Sequence, residues 1–304
     1  MSNNPSFTTV DLPRIRVDVR DWILAAPNAD ARQLRQAVDI TLNAIASLDD
    51  LAQNCSLKGG ILMGLAYGSP RLTADIDLSI GHRPNPKDPE KFRELLDGNF
   101  DWIAMERGHP DMALKVGTIR RLPRRKFDEA DFPGLGIKIL YAHKRNSGQM
   151  ARLDAGQGGP ALSMDISFNE PAKTLQILSL TEEASILAYG LAELIAEKLR
   201  ALLQQVPRRR ERRQDPYDIW HLTQTQKLSE ADRALILDRL ITKSRSRGID
   251  PQPDSLSNPE VRRRASANWT SLQLELEAGA LPPFTICWNA TEALYKALPW
   301  PQSQ

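Results

Sequence analysis

Asp75 and Asp77 stand two residues apart in the run Asp75-Ile76-Asp77-Leu78-Ser79-Ile80, where polar and aliphatic residues alternate. That period belongs to a β-strand, and it sends both carboxylates to one face, about 7 Å apart along the chain. Carboxylates converging on one point repel each other unless a cation sits between them or one is protonated. Oxygen ligands of this kind suit Mg²⁺ (or Mn²⁺), which also takes ligands from substrate phosphates. A third carboxylate on a neighbouring strand would complete a two-metal clamp. Asp165, in the alternating run Leu162 to Phe168, is the candidate, so the expected metal set is Asp75, Asp77 and Asp165. One metal would activate an attacking hydroxyl and the other would hold a triphosphate and its leaving pyrophosphate. By itself Asp-x-Asp also suits the solvated face of an edge strand. Two features weigh toward chemistry: Ile76, Leu78 and Ile80 supply a buried face, and Gly68-Ser69, Arg71 and Thr73 lead into the strand. A Gly-Ser turn offers backbone N–H groups and a hydroxyl to a phosphate.

Lys198 lies among Leu194, Ile195, Leu199 and Leu202 in a helical pattern. It reads either as a lysine snorkelling from an apolar face or as a point charge for a triphosphate. Arg208, Arg209, Arg210, Arg212 and Arg213 crowd the stretch before Asp215, and further clusters are Arg120, Arg121, Arg124, Arg125 and Lys126, and Arg262 to Arg264. Lys+Arg number 40 and Asp+Glu 38, so such clusters imply a dipolar surface with a basic face. Such a face suits RNA phosphates, and the 208–213 arginines are the expected RNA contacts. An acidic protein partner would use the same residues. None of the four histidines has a metal-ligand or triad spacing, and the two cysteines are far apart, which points to a reducing cytoplasm. No run of about 18 apolar residues exists, so no membrane span is expected.

The elements that must position these residues follow from periodicity. Residues 30–54 predict one long amphipathic helix, residues 61–67 a shorter one, 75–80 a strand, 89–105 a helix, and 137–141, 162–168 and 173–179 strands. Thr181 followed by two acids predicts a helix over 181–204. Helices are predicted near 216–226, 230–246, 258–278 and 288–298. The expected organisation is an N-terminal extension (1–29), an α/β domain (30–180) and a helical domain (181–304).

Lys58-Gly59-Gly60, an apolar turn, and Arg71-x-Thr73-x-Asp75-Ile76-Asp77-Leu78 resemble the opening of the AbiEii/AbiGii nucleotidyltransferase toxins. These belong to the polymerase-β-like nucleotidyltransferase superfamily and include the MenT toxins. Ala196-Glu197-Lys198-Leu199-Arg200-Ala201-Leu202 and Arg213-x-Asp215-Pro216-Tyr217-Asp218-Ile219 resemble the family's second half. Order and approximate spacing fit over roughly residues 30–225. Thr73 stands where some relatives have Ser, and Gly68-Ser69 lies further back than in much of the superfamily. The resemblance implies a polymerase-β-like core with a mixed sheet and a helical C-terminal domain, an NTP substrate, Mg²⁺, and a toxin role beside an antitoxin. It implies that Asp75 and Asp77 bind metal and that Lys198 contacts nucleotide phosphates. The nucleotide-binding set would be Lys58, Gly59, Gly60, Ser69, Arg71, Thr73 and Lys198. Asp215 and Asp218 would contribute an acidic group facing the catalytic site.

The expected activity is transfer from an NTP to an RNA acceptor, the tRNA 3′ end, which would inhibit translation. Two alternatives stay open: transfer to a protein or small-molecule hydroxyl, and a non-catalytic binding module on the same fold.

Overall fold

A computed structural model describes residues 12–277 and 279–301. The chain divides into two compact units, residues 1–59 with 74–188, and residues 60–73 with 189–304.

The first unit is built on one mixed eight-stranded sheet of order β1-β7-β8-β2-β3-β6-β5-β4. Its strands are β1 (Arg14–Arg16), β2 (Cys55–Lys58), β3 (Asp75–Ile80), β4 (Met112–Leu122), β5 (Gly134–His143), β6 (Ala161–Ser167), β7 (Leu175–Ser179) and β8 (Ser185–Tyr189). Its helices are α1 (Val19–Leu24), α2 (Ala29–Ala46), α3 (Asp49–Asn54), α5 (Asp88–Glu106) and α6 (Ser147–Asp154), while α4 (Gly59–Tyr67) leads into the second unit. Asn28 caps α2 by accepting from the Ala31 N–H, and the helix buries Ala37, Val38, Ile40, Ala44 and Ile45 against the sheet. Each large aliphatic side chain so buried contributes about 1.5–3 kcal/mol.

The single helix expected over 30–54 is two helices and a strand. α2 stops at Ser47, α3 follows, and Cys55 to Lys58 form a buried strand parallel to β8 and antiparallel to β3. The described part of the N-terminal extension adds β1 to the sheet beside β7.

The helix expected from Thr181 begins ten residues later. The Thr181 hydroxyl instead accepts from the Glu183 and Ala184 N–H groups, closing a turn. Ile186 to Tyr189 then run as a buried strand, and α7 (Leu191–Arg208) starts after Gly190. A short apolar run has no period that separates a buried strand from a buried helix.

The second unit is helical. α7 packs on α9 (Glu230–Arg245), and α8 (Gln214–Thr225) packs on α11 (Phe284–Lys296). Ser229 and Asp232 close α9 with a reciprocal capping box. The helix expected over 258–278 breaks: α10 (Pro259–Ser266) ends before Asn268, which has φ 54°, and a 3-10 segment covers Trp269–Glu275.

Candidate active site

In the first unit the sheet register sets three polar rows side by side. Lys58 on β2 is paired with Asp77 on β3, Asp77 with Asp165 on β6, and Asp165 with Gly136 on β5. The flanking rows are Asp75–Ser163–Lys138 and Ser79–Ser167–Gly134. Neighbouring strands lie about 4.8 Å apart, so paired residues share a face at close range. Alternate residues point the other way: Ile76, Leu78, Leu162, Met164 and Ile166 are buried. Asp75, Ser163, Asp165 and Lys138 stay exposed. Further along β5, Leu140 and Ala142 pack with Ala113 and with Leu153 of α6, so α6 covers that end of the face.

Electrostatics on this face follow from the crowding of acids. Partial desolvation by the neighbouring strands and the charge of Asp75 push the Asp165 carboxyl up, against the pull of Lys58. Lys58, itself buried, lies with its Nζ 3.1 Å from Glu170 Oε2 and donates to Ser167 Oγ at 3.4 Å. Glu170 was not anticipated from sequence. Glu170 comes in through a turn with Asn169 at φ 54°, and its N–H donates to the Ile80 carbonyl.

The two glycines after Lys58 have separate steric reasons. Gly59 has φ 72°, and a Cβ there would overlap the Asp77 carboxylate. A Cβ on Gly60 would come within 2.9 Å of Thr73 Cγ2. The motif is therefore a packing solution: the backbone at 59 must approach the Asp77 side chain closely.

The second unit holds a buried ion network. Arg71 binds Asp218 with both guanidinium arms, Nε at 3.1 Å and Nη2 at 3.2 Å. Lys198 Nζ lies 2.5 Å from Asp218 Oδ2 and 3.6 Å from Asp215 Oδ1. Arg212 joins Asp215 at 3.0 Å, Arg213 joins Glu275 at 2.7 Å, and Glu275 also lies 3.8 Å from Arg71. Burial alone would raise Asp218, but the charges and hydrogen bonds of Arg71 and Lys198 overcome it and hold the carboxyl at about 2. The loop carrying Arg71 is pinned by backbone bonds from Leu72 N to Glu275 O and from Glu277 N to Pro70 O. The Ser69 hydroxyl accepts from the Arg71 N–H.

The structure thus brings Lys58, Gly59, Asp75, Asp77 and Asp165 together in one unit, and Arg71, Lys198, Asp215 and Asp218 in the other. Of the expected RNA-contacting arginines, Arg208, Arg209 and Arg210 are exposed, while Arg212 and Arg213 belong to the buried network. Glu275 was missed; a 3-10 turn some 60 residues beyond Asp215 gives no local sign of that partnership.

The sequence model of the family described as "Nucleotidyl transferase AbiEii toxin, Type IV TA system" matches residues 40–296. The chain belongs to this family. It is accordingly a nucleotidyltransferase toxin of a type IV toxin–antitoxin system. Among solved structures, the AbiEii chain is similar to MenT4, a nucleotidyltransferase toxin from Mycobacterium tuberculosis H37Rv, with 15% identity, a TM-score of 0.54, and coverage of 92% of this chain and 87% of that one. It is also similar to JHP933 from Helicobacter pylori, with 15% identity, a TM-score of 0.50, and coverage of 88% and 91%. At such identities the likeness is one of fold, and it agrees with the eight-stranded mixed sheet followed by helices. No curated protein sequence matches.

For the AbiEii chain, the donor set Asp75, Asp77 and Asp165 fits a hard divalent cation in its chemistry: only carboxylate oxygens, on one face, with the Asp165 carboxyl raised partly by the charge of Asp75. Among the described residues no group of three or more His, Cys, Asp or Glu side chains is placed so that it could hold a metal ion as it stands. Among those same residues no helix is long and apolar enough to cross a membrane.

Proposed function

We propose that this toxin uses Mg²⁺ (or Mn²⁺) to transfer a nucleotide from an NTP to an RNA acceptor, the tRNA 3′ end, and so blocks aminoacylation and translation. The observation that supports this reading is the aligned row Lys58–Asp77–Asp165 with Asp75 beside it on the same face. A bound divalent cation supplies charge neutralisation and Lewis acidity there. In the reaction the acceptor hydroxyl loses its proton and bonds to the α-phosphorus. The bond from that phosphorus to the bridging oxygen breaks, and pyrophosphate leaves with the electron pair. Asp75, Asp77 and Asp165 are the metal ligands.

The first N–H groups of α4, at Gly59 and Gly60, are assigned to the nucleotide phosphates, as are Lys58, Ser69, Arg71, Thr73 and Lys198. The network that holds Arg71 and Lys198 contains four cations and three anions, so it keeps a positive excess. Asp215 and Asp218 hold Arg71 and Lys198 in place. Arg208, Arg209 and Arg210 contact RNA phosphates. A cognate antitoxin counters the activity in the cytoplasm, where the tRNA is.

The test is incubation with labelled NTPs, Mg²⁺ and total RNA. A labelled tRNA band is expected. A self-labelled protein band, or label on a small molecule, would move the acceptor to another class, and no label in any arm would refute transfer.

A further inference from the structure

The row that carries the carboxylates does not end at Asp165. It continues through Gly136 on β5 to Arg120 on β4, and the next row runs Ser79–Ser167–Gly134–Leu122. On this face β5 therefore has no side chain at two successive outward positions. A Cβ at 136 would meet Asp165 Oδ1 at 3.4 Å, and one at 134 would meet the Ile166 carbonyl oxygen at 3.1 Å and Leu122 Cβ at 3.9 Å. The result is a shallow trough of bare backbone, with Asp165 and Ser167 on one side and Arg120 and Leu122 on the other.

The far side of the trough is basic and open. β4 is the edge strand, and Arg120 and Leu122 are exposed there, Leu122 to 54%. Arg120 and Leu122 also line a cavity of about 810 Å³ with Arg93, Arg121, Arg124 and Glu90. Arg93 is occupied by the Val116 and Gly117 carbonyls, and Arg121 by the Pro86 carbonyl and Glu90. Among the described residues Arg120 and Arg124 have no ion-pair or hydrogen-bond partner, so their charges face solvent.

We propose that this trough is the acceptor subsite: the 3′-terminal nucleotides of a single-stranded RNA lie across Gly134 and Gly136, with backbone phosphates on Arg120 and Arg124 and a base against Leu122. The inference rests on the transfer reaction proposed above and locates its second substrate. Two features favour RNA over an acidic protein. Arg120 lies in the same row as Asp77 and Asp165, where an acceptor hydroxyl has to arrive, whereas a regulatory partner has no such need. An exposed aliphatic side chain next to two unpaired guanidiniums matches a base next to its phosphates, since single strands are held by cationic grooves with apolar surfaces for the bases.

The test uses the full chain, a fluorescein-labelled single-stranded RNA with a free 3′ hydroxyl, and a labelled NTP with Mg²⁺. In the double variant Arg120→Gln/Arg124→Gln the RNA affinity should fall on the order of 10-fold at low salt. The slope of log affinity against log salt should fall by about 1.4, at about 0.7 per phosphate contact on a single strand. Gly136→Val, which fills the trough with charge unchanged, should raise the RNA KM more than the NTP KM. Thermal unfolding checks that both variants fold. If the wild type transfers to RNA and both folded variants keep its RNA KM and salt slope, the subsite is wrong and the transfer reading stands. If the wild type transfers nothing, the transfer reading fails; RNA binding that survives the arginine changes then overturns the subsite too, whereas binding lost with them supports it. Unchanged RNA binding with lost binding to a poly-glutamate probe would assign the arginines to an acidic protein and overturn the proposal.

Discussion

The two units of this toxin place acidic residues in opposite circumstances. In the second, Asp218 is fully buried and every carboxylate of the network faces a cation at close range, so the carboxyl sits far below its ordinary value. In the first, Asp75, Asp77 and Asp165 share one face, Asp75 and Asp165 exposed, and the Asp165 carboxyl is pushed up by partial desolvation and by its neighbour's charge. The nearby lysine is engaged by Glu170. One set of carboxylates is buried against the cations that neutralise it; the other is a row of acids on a partly open face with Lys58 at its end. A buried network must be satisfied within the fold or it unfolds the protein, whereas acids on an open face stay within reach of solvent and solutes.

The largest expected effect breaks the first half of this contrast. Asp75→Ala or Asp77→Ala should reduce labelled-NTP transfer to background while the fold survives, and the melting temperature without metal should hold or rise, because a repulsion is removed. Wild-type turnover in either variant with excess Mg²⁺ would remove these residues from the metal site.

Asp218→Asn should do the reverse and strike the fold first. It removes the nearest anion from both Arg71 and Lys198, leaving them only the longer contacts to Glu275 and Asp215, at a cost of about 3–5 kcal/mol in urea unfolding at neutral pH. The pH dependence sharpens this. Asp218 has its folded value held at about 2 against 3.8 for the free group, so its stabilisation is fully present above about pH 4 and is lost as pH falls toward 2. The stability gap between wild type and variant should close over that window. A gap that persists unchanged to pH 2 would mean that the ion network is not its source.

Lys198→Met probes whether the second region also serves the substrate. Arg71 still neutralises Asp218 in this variant, so a purely structural lysine would lower stability and leave the turnover of folded protein near wild type. A lysine on the triphosphate would lower turnover on the order of 10²-fold. The smallest effect is expected from replacing Arg208, Arg209 and Arg210 by Gln. The RNA salt slope should fall by less than about one unit per arginine, with the NTP KM much less affected. An unchanged slope would leave these exposed arginines without an RNA role.

The carboxylates were legible because their signal is local. A two-residue period with aliphatic residues between acids marks β3 and β6 wherever the sheet happens to close. β4 was not legible: a shift in register between Val116 and Ile119 interrupts its alternation, and its edge end carries arginines in place of an apolar stripe. β2 and β8 were lost to neighbouring helical patterns, since strands of four or five mostly apolar residues, central in the sheet, carry too short a period to read.

The sequence by itself determined the family, the Asp-x-Asp strand, the alternating strand that carries Asp165 and the run of helices after the sheet, all of which rest on residue types at short spacing. Only the tertiary structure decided that Asp77 is flanked by Lys58 and Asp165, that Gly59 is glycine because the Asp77 carboxylate lies against it, and that Lys198 sits within an ion network reaching Glu275. Strand order and side-chain burial link residues tens of positions apart, and the energy of those contacts comes from desolvation and charge pairing, which exist only once the chain has closed on itself.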